Sequence, residues 1–226
     1  MIPWTVLDTA KMPGGTDELR LKQRGAEFSI MLGTNELMNS RLSGSEEALA
    51  KLSCDRIRNA PRPRILIGGL GMGFTLRAAL NEVGDTASIV VAELVPAVVA
   101  WARGPMAEVF GTSLTDPRVT IRETDVGALI RAERTAYDAI LLDVDNGPEA
   151  LTRPANDDIY NLSGLHAAKA ALRPGGVLAV WSSAPDSQFS RRLKTAGFVA
   201  EEVSVRANGK RGGARHTIWL AVKSAG

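Results

Sequence analysis

Residues 64–77 read RILIGGLGMGFTLR, a short apolar run that enters a cluster of glycines and leaves as the start of a helical pattern. This segment constrains the chain more than any other. Glycines at 69, 71 and 73 let the backbone turn tightly and come close to a ligand, and the helix that follows offers its N-terminal amides to that ligand. A glycine-rich turn can also be a mere packing device, so the segment needs support from its surroundings.

The surroundings supply it. From Arg64 onward, strand-like and helix-like patterns alternate with short connections, as in βαβ units that build a largely parallel sheet. Strands are expected at 65–67, 88–92, 119–123, 139–142 and 177–180, with a closing antiparallel pair near 200–205 and 217–222. Helices are expected at about 75–83, 95–109, 127–132, 157–172 and 187–196, the fourth stopped by the turn Pro174-Gly175-Gly176. The fold class is therefore α/β: a doubly wound, mostly parallel, seven-stranded Rossmann-like sheet of the methyltransferase kind.

The first sixty residues differ. Alternation over 19–23 and 27–32, with Arg24-Gly25 between, predicts a β-hairpin. A helix should follow, with Ser43-Gly44-Ser45 at its N-cap, Glu46 and Glu47 in its first turn, and Ala48, Leu49 and Leu52 as its apolar stripe. Pro61-Arg62-Pro63 marks the expected boundary between an N-terminal hairpin-and-helix segment, 1–60, and a nucleoside-binding catalytic domain, 61–226.

Composition removes several classes of function. Lys and Arg number 27 against 25 Asp and Glu, a net charge of +2 without a concentrated basic stripe, so nucleic acid is not an expected partner. One cysteine, Cys54, and two histidines, His166 and His216, make neither a disulfide framework nor a zinc pattern, and no metal is expected. No apolar run approaches the roughly 18 residues of a membrane span, and the N-terminus lacks a signal peptide's layout, which together predict a cytoplasmic protein with no membrane partner. The glycine-rich loop around Lys210 reads as a solvated loop tip.

Three carboxylates fall at strand ends, where open parallel sheets bind their ligands. Glu93 ends the second strand about 20 residues after the glycines, the place at which dinucleotide-type folds present an acid to ribose hydroxyls. Asp125 follows the third strand, as an adenine contact or as the N-cap of the next helix. The fourth strand runs into Asp143-Val144-Asp145-Asn146-Gly147-Pro148, either a plain turn or a pair of carboxylates and an amide able to hold and orient an amine. Trp181, after the fifth strand, either stacks on the nucleobase or covers the sheet, and Trp101 reads as core.

At this point the residues resemble a known family. From about Leu32 to Val180 the chain is similar to the spermidine synthases and their relatives the plant putrescine N-methyltransferases, on the class I methyltransferase fold. The resemblance is carried by the glycine segment, by Asp116-Pro117-Arg118-Val119, and by Tyr137-Asp138-Ala139-Ile140-Leu141-Leu142-Asp143. It implies a donor site of Gly69, Gly71, Met72, Gly73, Glu93 (ribose) and Asp125 (adenine). It also implies Asp143 as the acid that positions the attacking amine and Gln23 or Glu47 as polar groups lining the amine channel; Asp145 is expected to help Asp143, and Asn146 and Trp181 are further substrate-binding candidates. The family's aminopropyltransferases carry an aspartate in the glycine loop that holds the free amine of decarboxylated S-adenosylmethionine. Here Met72 stands in its place, and Ala78 stands where a glutamate is usual.

The expected function is transfer of an alkyl group, methyl in the first instance because of Met72, from S-adenosylmethionine to the nitrogen of a small amine. The alternative is aminopropyl transfer from the decarboxylated donor, as in spermidine synthase, and a further alternative is a nucleoside-binding protein without catalysis. A homodimer stays open, since nothing in the sequence fixes the assembly state.

Overall fold

The protein is described from a computed structural model covering residues 2–144, 147–148, 158–209 and 212–225. Four N-terminal strands, β1 (Thr5–Lys11), β2 (Glu18–Arg24), β3 (Glu27–Leu32) and β4 (Asn35–Asn39), form an antiparallel sheet in sequential order. The expected hairpin is its centre: β2 and β3 pair from Leu19↔Leu32 to Arg24↔Glu27. Gly25 sits first in the two-residue loop at φ +60°, where such a turn needs a glycine. The outer strands add to the expected hairpin. β1 is an exposed edge whose side chains give no inward alternation, and β4 is short and rich in asparagine.

Helix α1 (Gly44–Arg56) starts where the N-cap serines place it. It buries Leu49, Ala50 and Cys54 in the same core cluster as Ile65 and Ile67 of β5 (Arg64–Gly68), so the core is continuous across Pro61–Pro63. Then come α2 (Phe74–Glu82), β6 (Ser88–Glu93), α3 (Pro96–Arg103), α4 (Ala107–Phe110), β7 (Val119–Glu123), α5 (Val126–Ala132), β8 (Tyr137–Leu142), α6 (Leu162–Ala171), β9 (Leu172–Ser182), α7 (Ser187–Thr195), β10 (Val199–Arg206) and β11 (Arg215–Val222).

The second sheet has the order β10-β11-β9-β8-β5-β6-β7. Strands β5 to β9 are parallel, and β11 is antiparallel to both β9 and β10, as expected for the doubly wound seven-stranded sheet. Its centre is apolar on both faces: in β5, Ile65 and Ile67 face one core cluster with α1, α2 and α3, while Leu66 faces the other with α5, α6 and α7.

Two boundaries differ from expectation for identifiable reasons. The single helix expected over 95–109 is two, because Pro105 supplies no N–H and disfavours helical backbone at Gly104. The fourth expected helix ends at Ala171, before the Pro174-Gly175-Gly176 turn. That turn is a bulge inside β9, whose pairing with β8 jumps from Tyr137↔Leu172 to Ala139↔Val177. Asp116-Pro117-Arg118, one of the runs that carries the family resemblance, is a structural clamp. Arg118 pairs with Asp116 at 2.7 Å and donates to the carbonyls of Leu80 and Val83, tying the end of α2 to the lead into β7.

Candidate functional site

The strand order reverses at β5, with β6 and β7 on one side and β8 and β9 on the other, and the carboxyl ends of these strands open into one cleft. The N-terminal sheet roofs it with Met12, Leu19, Leu32, Leu37, Met38 and Asn39. The cleft and the open solvent at its mouth together make up about 1240 Å³ of empty space.

The glycine loop forms the floor. Gly69 has φ +90°, and a Cβ there would lie 2.3 Å from the carbonyl oxygen of Asp143. The ends of β8, β5 and β6 are laced together by Asp143 N–H donating to Gly68 O (3.0 Å) and Gly69 N–H donating to Ala92 O (2.8 Å). Gly69→Ala should therefore lower stability by roughly 2–4 kcal/mol, from backbone strain plus displacement of β8's end. Chemical denaturation checks this, and a loss under 1 kcal/mol would mean the loop relaxes freely. Gly71 and Met72 line the cleft, Met72 being almost wholly buried. Gly73 does not line it: it caps α2 in the left-handed region and gives its space to the Phe110 ring, 2.4 Å from where a Cβ would stand.

Glu93 ends β6 and is buried, accepting hydrogen bonds from Leu70 N (3.0 Å) and Val95 N (2.8 Å). Burial pushes its carboxyl above the usual range, against the pull of these amides. Asp125, after β7, lines the cleft and is also the N-cap of α5, accepting from Ala128 N at 2.8 Å. The two sequence readings of Asp125 are thus compatible.

Asp143, after β8, accepts from Thr75 Oγ1 at 2.6 Å. Burial, and then the neighbouring charge of Glu46, push its carboxyl up to about 7, with the Thr75 bond opposing. Glu46 from α1 also lines the cleft and is raised, mainly by burial. Two acids that repel each other across one cleft titrate as a pair, and a cation between them relieves both.

Several sequence candidates fall elsewhere. Glu47 is exposed and does not line the cleft; Glu46 takes that place, because three or four residues back from the wholly buried Leu49 the helix repeat reaches 46 and 45 and not 47. Gln23 lies away from the cleft, in a shallow depression with Phe28, Gly104 and Pro105, and its Nε2 donates to Gly25 O. Trp181 lines the cleft beside the end of β8. Four strand spacings of about 4.8 Å, roughly 19 Å, separate β9 from β7, so Trp181 cannot stack on a base held at Asp125. Its position is at the Asp143 end. Asp145 and Asn146 lie outside the described residues.

Sequence reasoning also missed Asn39 and Thr75, gave Ser45 only a place at the N-cap of α1, and left His216 without a role. Among the described residues no group of three or more His, Cys, Asp or Glu is arranged to hold a metal ion, and no helix is long and apolar enough to cross a membrane. The decisive electrostatic fact is the cleft's composition: Glu46, Glu93, Asp125 and Asp143 line it, and no lysine or arginine does among the described residues.

Comparison with known proteins extends the resemblance read from the motifs. No family model matches the chain. In sequence it is 29% identical over 156 residues to polyamine aminopropyltransferase 1 of Streptomyces coelicolor, covering 65% of this chain and 28% of that protein. It is 32% identical over 153 residues to polyamine aminopropyltransferase 2 of Pseudomonas aeruginosa, covering 63% and 41%. The matched region thus spans less than half the length of these curated relatives. In structure the chain superposes on spermidine synthase from Thermotoga maritima with a TM-score of 0.76 at 18% identity, over 98% of this chain and 74% of that one. The chain resembles the spermidine synthase family in sequence and shares its fold.

Proposed function

We propose that this chain is a transferase that moves the aminopropyl group of decarboxylated S-adenosylmethionine to the nitrogen of a small amine. The observation that carries the reading is the cleft lined by four acids and, among the described residues, by no lysine or arginine; Arg131, outside the lining, pairs with Asp125 at 3.5 Å. Every substrate of such a reaction is cationic or becomes so: the donor is a sulfonium bearing an ammonium, and the acceptor is an amine. The names of the curated relatives point the same way.

The roles follow from placement. Glu93 would hold the ribose diol, Asp125 the adenine edge, and Asp143 the acceptor nitrogen, taking its proton as the nitrogen attacks the aminopropyl carbon bonded to sulfur; that C–S bond breaks, its electron pair stays on sulfur, and methylthioadenosine leaves. Holding nucleophile and sulfonium in line supplies most of the acceleration.

The expectation of a methyl donor weakens on the cleft's electrostatics. Complete S-adenosylmethionine brings a carboxylate, and at an effective dielectric near 20 two like charges about 6 Å apart repel by roughly 3 kcal/mol. Three of the glycine-loop amides are already committed and do not compensate: Leu70 N–H is given to Glu93, Gly69 N–H to Ala92 O and Gly73 N–H to Leu70 O. Met72, an apolar residue where an acid would hold the donor's amine, is the feature that keeps methyl transfer as the second reading.

A side-by-side titration tests the choice. The decarboxylated donor is expected to bind at least about tenfold more tightly than S-adenosylmethionine, with methylthioadenosine also binding. A preference for S-adenosylmethionine would transfer the assignment to methyl transfer, and failure to bind any of the three would remove the transferase reading.

A further inference from the structure

Three of the four cleft carboxylates have tasks under the reading above, and the fourth, Glu46, is held by a dedicated relay. Its Oε2 accepts from Ser45 Oγ at 2.7 Å, and Ser45 Oγ lies 2.9 Å from His216 Nδ1. A serine has one hydroxyl hydrogen. Spent on Glu46, it leaves the oxygen to accept, so His216 must carry its hydrogen on Nδ1. Burial holds His216 below its ordinary value, which fits a neutral ring in that tautomer. His216 meets Trp181 edge to face, 4.8 Å between centroids, and the buried Nε1 of Trp181 has no partner among the described residues. Residues from α1, β9 and β11 thus converge on one carboxylate in the cleft. A helix glutamate that only served solubility would need none of them, as exposed Glu47 beside it illustrates.

We propose that Glu46, oriented by Ser45 and His216, anchors a primary ammonium group of the ligand, supplying from α1 the acid that the glycine loop lacks at Met72. The proposal rests on the aminopropyl-transfer reading only for the identity of the ammonium's bearer, the donor's free amine or the far nitrogen of a diamine acceptor. Asp143 cannot serve both ends of such a ligand set, because it must receive the attacking nitrogen. An ammonium held by a fixed carboxylate gains a charge-assisted hydrogen bond that Met72 cannot make.

Calorimetry on the wild type, Glu46→Gln and Ser45→Ala decides it, with two ratios as readouts. If the donor's amine is held, Glu46→Gln lowers affinity for decarboxylated S-adenosylmethionine at least about tenfold relative to methylthioadenosine, which has no ammonium. If the acceptor's far nitrogen is held, the same change appears in the ratio of 1,4-diaminobutane to butylamine. Ser45→Ala should move whichever ratio responds in the same direction by a smaller factor, as a positioning residue would. Both ratios unchanged in Glu46→Gln overturns the proposal. The diamine pair needs no nucleoside, so a wild type that ignores methylthioadenosine counts against the transferase reading and leaves the ammonium anchor to be judged separately.

Discussion

Asp143→Asn is expected to lower turnover by about two to four orders of magnitude while raising the melting temperature of the ligand-free protein at pH 8. Both effects have one cause. In the empty cleft, burial and the nearby Glu46 push the Asp143 carboxyl up to about 7, whereas in the unfolded chain it titrates near 4. Below pH 4 it is protonated in both states and contributes no difference. Between pH 4 and 7 the folded protein keeps a proton that the unfolded chain has released, so stability falls as pH rises through that window and levels off above it. The penalty at pH 8 is at most a few kcal/mol. Asparagine keeps the shape and an acceptor for Thr75 Oγ1 but has no charge to bury, so its advantage should grow from pH 4 to pH 8. Turnover falls because the amide can neither take the proton nor hold a cationic nitrogen. Melting curves at pH 4, 6 and 8 with a single-turnover assay check this. An unchanged pH slope in the variant would show that Asp143 is not the strained acid, and retained turnover would remove it from the chemistry.

Acids that are costly in the empty cleft become favourable when a cation enters, which is why the site destabilises the fold that carries it. That arrangement was only partly legible in the sequence. The glycine loop, Glu93 and Asp143 were readable because each sits at the end of a strand with a strong apolar signal, Asp125 because it follows the weaker alternation of β7, and strand ends on one edge of a parallel sheet meet whatever the loops between them do. The amine side was not, because it depends on a helix phase and on distant strands. Choosing Glu46 over Glu47 required following the α1 repeat back from Leu49, and the Ser45–His216 contact joins residues 171 positions apart. The outer strands of the N-terminal sheet were missed because β1 buries almost nothing, yet Met12, Leu37, Met38 and Asn39 around them complete the roof. Trp181 was left between the base and the sheet, and the strand order puts it at the Asp143 end of the cleft.

Glu93→Ala should abolish measurable binding of methylthioadenosine, a loss of at least about a hundredfold, and should also lower the melting temperature by roughly 5–10 °C. From the sequence, a ribose ligand at a strand end would be removable without cost to the fold. The geometry says otherwise. The carboxylate accepts from Leu70 N and Val95 N, bridging the glycine loop to the turn after β6, and both amides are buried. Removing their acceptor costs about 1–3 kcal/mol for each amide not rescued by water, and a chain of this size loses about 2–4 °C per kcal/mol. Each carboxylate oxygen has a second lone pair with which to receive a hydroxyl, so one group can brace the loop and hold a diol at once. Glu93→Gln separates the two duties: its single carbonyl oxygen can restore one amide's partner, while its NH2 opposes the other amide and cannot accept a hydroxyl. This variant should recover part of the melting temperature and little of the affinity. If instead the alanine variant keeps its affinity and only its stability falls, Glu93 is a brace for the loop and the ribose must be held elsewhere in the cleft.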